Sequence, residues 1–371
     1  MKQLFFMLLM LMGFNASAQN KLIITGKVSG ENQGQIIGAT IFIAGTQLVT
    51  QTDADGKFAI IMPNAGAYHL LVKMLGYAVE SEDVLLKDRD INLNIILKVK
   101  PIVLRQVTIG GDKERRYHLS VFKQEFLGRT KNARSCQILN PDVINFSTRK
   151  GIISAEADDF LIIENKNLGY RIKYLLKSFE HNIFRHTAYD GDAIFEELPG
   201  TDKQKLKWAH NRLETYKGSM MHFMRAVYNK TVLQEGFITH HLYNDSYGRD
   251  NDRDDDSFYY DPRIINFDTL TTVTDNSFIA FKFSRLYITY DPVKAAKLLK
   301  SGAPAITNFK PLYAGDDSSS SLIAYFKNGV VIDARGAINK GYVVSFHIKG
   351  PWTYKRVGDQ LPFEYQPPKA P

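Results

Sequence analysis

The chain has one cysteine, Cys136. A single thiol cannot form an internal disulfide, so stability has to come from packed cores. Blocks of one charge are also missing. The 47 basic and 39 acidic residues give a net charge of +8, but the positive ones are scattered and not interleaved with aromatics. That pattern argues against a nucleic-acid partner and leaves only a mild preference for anionic surfaces. Beyond the first residues, no apolar run reaches the ~18 residues of a membrane-spanning helix. None of the 9 histidines stands in His-x-x-Glu or His-Glu-x-x-His, the spacing that presents zinc ligands and a general base together. No Gly-x-Ser-x-Gly elbow offers a serine nucleophile either. With no cofactor motif in the chain, no cofactor is expected.

What is present begins with an export signal. Lys2 precedes an apolar run over residues 4–14 that only Gly13 interrupts, and Ala16, Ser17 and Ala18 set small residues before Gln19. Residues 1–18 are therefore expected to be a secretory signal peptide. The remaining length of about 350 residues suggests about two domains.

From residue 21 to 98 the hydrophobic period is two. Seven short apolar stretches alternate with turn residues every 8–12 positions, and Asp55-Gly56 is the strongest turn signal. This predicts an all-β sandwich over residues 20–100. Residues 101–117, with Pro101, Gly110 and Gly111 ahead of a charged run, read as a linker. Residues 118–371 mix helical and strand periods. A helix is expected over 121–128 and a long one over 203–234 interrupted at Gly218. Strands are expected over 152–163, 170–179, 278–290, 322–333 and 342–348, with a flexible loop over 318–321. The expected fold class is thus an all-β sandwich N-terminal domain followed by an α+β domain with an antiparallel sheet.

The order TGKVSG, IIGATIFIAGT, TDADGKFAI, AYHLLVKMLGYA and INLNIILK resembles the carboxypeptidase regulatory-like domain, a transthyretin-like sandwich. Gly26, Val28, Gly38, Asp53, Gly56, Phe58, Tyr68, Gly76 and Tyr77 carry the likeness. The resemblance implies a binding module without peptidase chemistry. The same sandwich precedes the plug of many TonB-dependent outer-membrane receptors, and Leu104 to Gly110 is similar to the segment leading into such plugs. The remaining ~260 residues are too few for a 22-stranded barrel and plug, which implies an adaptor without the pore. Further on, FKQEFLGRTKNARSCQILNPDVINF, LIIENKNLGYRIKYLLKSFE, YKGSMMHFMRAVYN and LPFEYQPP resemble a family in which this sandwich is fused to a domain of unassigned role.

Several residues are candidates for chemistry. Ser219, His222 and Arg225 recur every three positions and share one helical face, which suits a polar or anionic ligand or a structural polar stripe. Asp250, Asp252 and Asp254 match the first, third and fifth positions of a calcium loop. Asp255 stands where that loop needs Gly, and Asp261 where it needs Glu. Cys136 reads as a small buried residue, with Arg134 nearby as the one argument for a reactive thiolate. His240 and His241 lie on a strand and should point apart. The functional expectation is a non-enzymatic exported binding or adaptor protein of the bacterial envelope, periplasmic or outer-membrane-associated, engaging a protein or glycan partner. The alternative is an envelope hydrolase with its site in the second domain.

Overall fold

The computed structural model describes residues 21–32, 34–100, 111–182, 187–244, 258–275, 277–302, 312–313, 320–324, 330–339 and 347–368. The proposed signal peptide and Asp250, Asp252 and Asp254 lie outside them. The alternating N-terminal pattern forms seven strands: β1 (Leu22–Gly30), β2 (Thr40–Ile43), β3 (Val49–Gln51), β4 (Lys57–Met62), β5 (Gly66–Lys73), β6 (Glu80–Leu86) and β7 (Ile91–Leu97). They make two sheets, β4-β1-β7 and β3-β2-β5-β6. Only the β1–β7 pair is parallel. Ile24, Val28, Ile41, Ile60, Leu70 and Val72 fill the space between the sheets. Before β4 the chain turns on Asp53, whose carboxylate accepts from the backbone N–H groups of Asp55 (2.9 Å) and Lys57 (2.8 Å).

The second region begins earlier than its sequence pattern predicts. Helix α1 (Asp112–Phe122) starts inside the span read as linker and runs into a π turn over Lys123–Leu127. Its first turns are charged rather than apolar, so periodicity does not mark them. They are held instead by Arg115, which donates to the carbonyls of Ile144 (3.1 Å) and Pro141 (3.0 Å). Short helix α2 (Lys131–Arg134) follows. Strands β8 (Cys136–Ile138), β9 (Ile144–Arg149), β10 (Ile152–Ala157), β11 (Leu161–Asn165), β12 (Tyr170–Asn182) and β13 (Thr187–Glu197) then build a six-stranded antiparallel sheet. The 13-residue β12 is its spine: β11 and β10 share one edge in succession and β13 takes the other. Its inward residues Tyr170, Ile172, Tyr174 and Leu176 pack with Phe122 and Phe126.

The helical segment over 203–234 is two helices, α3 (Asp202–Tyr216) and α4 (Met220–Tyr228). The break is at Gly218, with φ +64°; a Cβ there would sit 2.6 Å from the Tyr290 ring, so only glycine lets the chain turn this close to the sheet. Beyond it lie β14 (Phe237–Asn244), β15 (Phe258–Tyr260), β16 (Thr271–Asp275), β17 (Phe278–Phe281), β18 (Arg285–Tyr290), α5 (Pro292–Ser301), β19 (Leu312–Tyr313), β20 (Ser320–Ala324), β21 (Val330–Asp333) and β22 (His347–Lys349). They form sheets ordered β19-β15-β14-β18-β20-β22 and β16-β17-β21. Ser320 and Ser321, read as flexible loop, are buried at the start of β20. Strand geometry wins because each hydroxyl has a partner: Ser320 Oγ lies 2.8 Å from Thr289 Oγ1, and Ser321 Oγ accepts from the Trp352 N–H at 3.3 Å. Among the described residues no helix is long and apolar enough to cross a membrane.

The sandwich does not stand apart from this second region. Its sheet β3-β2-β5-β6 is covered on both faces. One face meets β4-β1-β7; the other presents Phe42 and Leu71 to Phe160 and Ile194, with Ile162 and Leu175 beside them. Burial of each such side chain contributes about 1.5–3 kcal/mol. The β2–β3 turn extends the β13 edge: Gly45 N–H donates to Ala193 O (2.6 Å) and Phe195 N–H to Thr46 O (2.9 Å). The tail returns to seal it, with Phe363 N–H donating to Gly45 O at 2.8 Å. Gly45 has φ +75°, and a Cβ there would lie 2.5 Å from the Phe363 ring.

A buried ion pair clasps the same junction. Arg335 and Asp333 have side chains 5% and 1% exposed and meet at 2.6 Å. Arg335 Nη2 donates to Ala67 O at 2.7 Å, while Ala67 N–H donates to Asp333 Oδ2 at 3.4 Å. The guanidinium stacks 3.8 Å over the Tyr68 ring. Removing one partner strands a buried charge, whereas removing both does not. Arg335→Met should therefore cost about 3–5 kcal/mol, and the Asp333→Leu/Arg335→Met double variant should recover most of it. Denaturant midpoints of the three proteins check this. Equal midpoints for the single variant and the wild type would show that the clasp contributes nothing.

Candidate functional site

Ser219, His222 and Arg225 sit together at the head of α4, and each is engaged within the chain. Ser219 is the N-cap: its hydroxyl accepts from the His222 N–H at 3.1 Å, satisfying a donor that the helix start leaves open. His222 Nδ1 accepts from the Gly218 N–H at 3.1 Å. That fixes the neutral tautomer with its proton on Nε2, which faces Glu235 Oε2 at 3.1 Å. The ring packs on Tyr216, Phe237 and Tyr290 with centroids 4.7, 4.8 and 5.7 Å away. Burial pushes the His222 pKa below its ordinary value despite Glu235. Arg225 is 6% exposed. Its nitrogens donate to the carbonyls of Arg335 (3.0 Å), Tyr365 (2.8 Å) and Phe363 (3.0 Å). The fork that could hold an incoming carboxylate holds the chain's own tail.

None of the three lines the open feature beside them. Where Gly218 breaks the helix, a cleft of about 120 Å³ lies between the break, β18 and the turn over Pro351–Tyr354. Lys217, Tyr290, Ser321, Trp352 and Lys355 line it, with Phe237 and Ile288 as an apolar side. The indole of Trp352 donates to Gly218 O at 2.8 Å and fixes the rim. Lys355 is partly buried, and that burial lowers its pKa; Asp359 offsets part of the shift. The carboxyl of Asp359 is itself raised by burial, although Thr130 and Asn132 donate to it at 2.7 and 2.8 Å. A larger cavity of about 180 Å³ opens beyond Phe237. Its lining cation Lys230 pairs at 3.0 Å with Asp268, which lines it too, whereas among the described residues no carboxylate lines the smaller cleft.

No sequence signal joins Lys217 to Lys355. They lie far apart in the chain, and neither stands in a motif. The one hint was Gly218, the interruption that makes the cleft.

The remaining candidates are placed as follows. Cys136 packs at the edge of the β12 core, and its Sγ donates to Asn132 O at 3.4 Å. Burial, helped by the negative charge of Asp359, pushes the thiol up to about 12. His240 and His241 are successive residues of β14; His240 Nδ1 lies 3.1 Å from Arg263 O, and its ring is 4.9 Å from Tyr260. Among the described residues no group of three or more His, Cys, Asp or Glu is placed to hold a metal ion.

Residues 24–109 match the family model of the CarboxypepD_reg-like domain, and the N-terminal sandwich is a domain of that kind. A curated relative is the TonB-dependent receptor P3 of Formosa agariphila, 26% identical over 139 residues. The match takes in 37% of this chain and 13% of the receptor, so the chain spans only a small part of that protein's length. Solved structures that match share less. A type II cohesin–X-dockerin complex of Acetivibrio cellulolyticus is 20% identical, covering 20% of this chain and 56% of that one, with a TM-score of 0.19. The group B streptococcus pilus 2b backbone protein is 20% identical over 21% and 41%, at 0.20. The catechol 1,2 dioxygenase of Acinetobacter radioresistens is 13% identical over 26% and 58%, at 0.20. Neither function nor overall architecture transfers at such scores.

Two outcomes follow from the geometry. The Cys136 thiol should react with a neutral-pH thiol reagent only on unfolding, because few thiolates exist well below a pKa near 12. Rapid stoichiometric labelling of the native protein would contradict this. The second outcome concerns acid. His181, His222, His240 and His241 all have pKa values lowered from 6.5, each chiefly by burial. The unfolded chain then binds more protons than the folded one below 6.5, so their contribution is complete above 6.5 and is lost as pH falls from there toward the lowered values. Asp359 and Glu364, raised by burial, act in the opposite sense at lower pH. Stability measured from pH 7.5 to 5.5 should therefore decline less steeply in His222→Gln than in the wild type. Parallel profiles would remove His222 from the account.

Proposed function

We propose that this is a non-catalytic binding or adaptor protein of the bacterial cell envelope, exported by its N-terminal segment and acting in the periplasm or at the outer membrane. The carboxypeptidase regulatory-like sandwich and the distant TonB-dependent receptor relative support the envelope assignment. The observation that carries the binding reading is which side of the sandwich stays open. Its β3-β2-β5-β6 sheet is closed on the second region through Phe42 and Leu71. Its β4-β1-β7 sheet presents Ile61 and Ile96, 54% and 55% exposed, around a polar ladder of Thr25, Asn92 and Asn94. A twisted three-stranded face with apolar corners and amide side chains suits a protein or glycan partner.

The competing hydrolase reading needs an activated nucleophile. Cys136 supports the non-catalytic reading instead, since burial and a neighbouring carboxylate both work against its thiolate. The test is site-specific photocrosslinking in intact cells. A crosslinker at Ile61 should capture a discrete envelope protein or glycan, and one at the exposed Leu206 of α3 should not. Capture from Leu206 alone would move the binding surface to the second region. Recovery of the protein in the cytoplasm, with no adduct from either position, would overturn the proposal.

A further inference from the structure

The cleft at the helix break is lined by two cations and, among the described residues, by no carboxylate. The Lys355 ammonium makes no direct hydrogen bond or ion pair with a described residue, although the side chain is partly buried and only the charge of Asp359 acts on it from a distance. The second cation, Lys217, sits nearer solvent and pairs with Glu214 at 2.9 Å; an ammonium has three donors, so two remain. Ser321 Oγ accepts from Trp352 N–H, which leaves its own proton to give. Tyr290, whose side chain carries a hydroxyl, also lines the cleft. Among the described residues every polar side chain lining the cleft can donate, and no carboxylate lines it. Glu214, Glu235 and Asp359, which do not line the cleft, act on Lys217, Tyr290 and Lys355 electrostatically.

An ammonium held partly out of water without a direct partner is unfavourable for folding alone. An anion entering the cleft would remove that penalty. We propose that the cleft between Lys217 and Lys355 binds a small organic carboxylate, with Lys355 as its counterion and the Trp352 and Ile288 side as the seat of its apolar body. A carboxylate fits better than a phosphate. The described lining has no arginine fork, which a phosphate dianion commonly uses. Half of the lining is apolar, which suits a singly charged head on a short hydrocarbon. The inference does not depend on the sandwich face binding a partner.

The chain has two tryptophans, which makes the test direct. Trp352 lines the cleft; Trp208 is in α3, its indole donating to Lys166 O at 3.0 Å. In full-length protein carrying 15N-tryptophan, butyrate should shift the Trp352 indole resonance saturably, with a Kd on the order of 1 mM, and leave Trp208 still. Neutral butyramide should not shift it, and inorganic phosphate should do so more weakly. Lys355→Met should weaken butyrate binding by at least ~10-fold while keeping or raising the melting temperature. Binding unchanged in Lys355→Met, butyramide matching butyrate, or no saturable shift would each overturn the proposal. Phosphate matching butyrate would overturn the carboxylate assignment in favour of a general oxyanion site. If Lys355→Met fails to fold, Lys217→Gln decides: it should weaken butyrate several-fold, and unchanged binding overturns the proposal.

Discussion

The arrangement depends on one sheet being buried on both faces. Strands β2 and β5 alternate like any sandwich strand, with Ile41, Leu70 and Val72 facing β4-β1-β7. Yet Phe42 and Leu71, which should face water in a free-standing module, are 7% and 0% exposed. Such a double requirement is met only if a second layer covers the outer face. The outer side of the β11-β12-β13 sheet supplies it, and the Asp333–Arg335 pair at the end of β21 holds Ala67 of β5 from a further sheet of the second region. The sandwich is one layer of a larger body.

That constraint explains what could be read in advance and what could not. All seven sandwich strands were legible, because period-two burial and turn residues are local signals. The continuity of apolar residues at Leu70-Leu71-Val72 was the visible trace of the second burial, but nothing local says which partner fills it. Helix α1 was missed in its first turns because Arg115 anchors it to distant carbonyls. The break at Gly218 was anticipated; its consequence, a cleft with Lys355 on the far wall, depends on a contact between residues far apart in sequence. Ser219, His222 and Arg225 were correctly placed near one another, since three-residue spacing is a local property of a helix. Their partners are not local: Glu235, Arg335, Phe363 and Tyr365 come from elsewhere in the chain.

Function follows the same division. The outer face of β3-β2-β5-β6 is closed by the second region, so the recognition proposed for the sandwich falls to the β4-β1-β7 face. The second region has its own open feature, the cleft beside α4, whose cations face no carboxylate among the described residues lining it. One body thus carries two separate surfaces, a broad one suited to a macromolecule and a small one suited to a charged group. The tail ties the sandwich junction to α4, because Phe363 N–H donates to Gly45 O while the carbonyls of Phe363 and Tyr365 receive Arg225.

The rigid docking of the sandwich is the claim on which the choice of its open face rests. Native-state hydrogen exchange tests it at two amides that cross the junction, Gly45 to Ala193 O and Phe195 to Thr46 O. If the layers form one body, these amides exchange as slowly as that of Ile41 in the sandwich interior, with the same dependence on denaturant. Exchange at Gly45 and Phe195 that is fast and insensitive to denaturant, while Ile41 stays protected, would show a sandwich that swings free of its second layer.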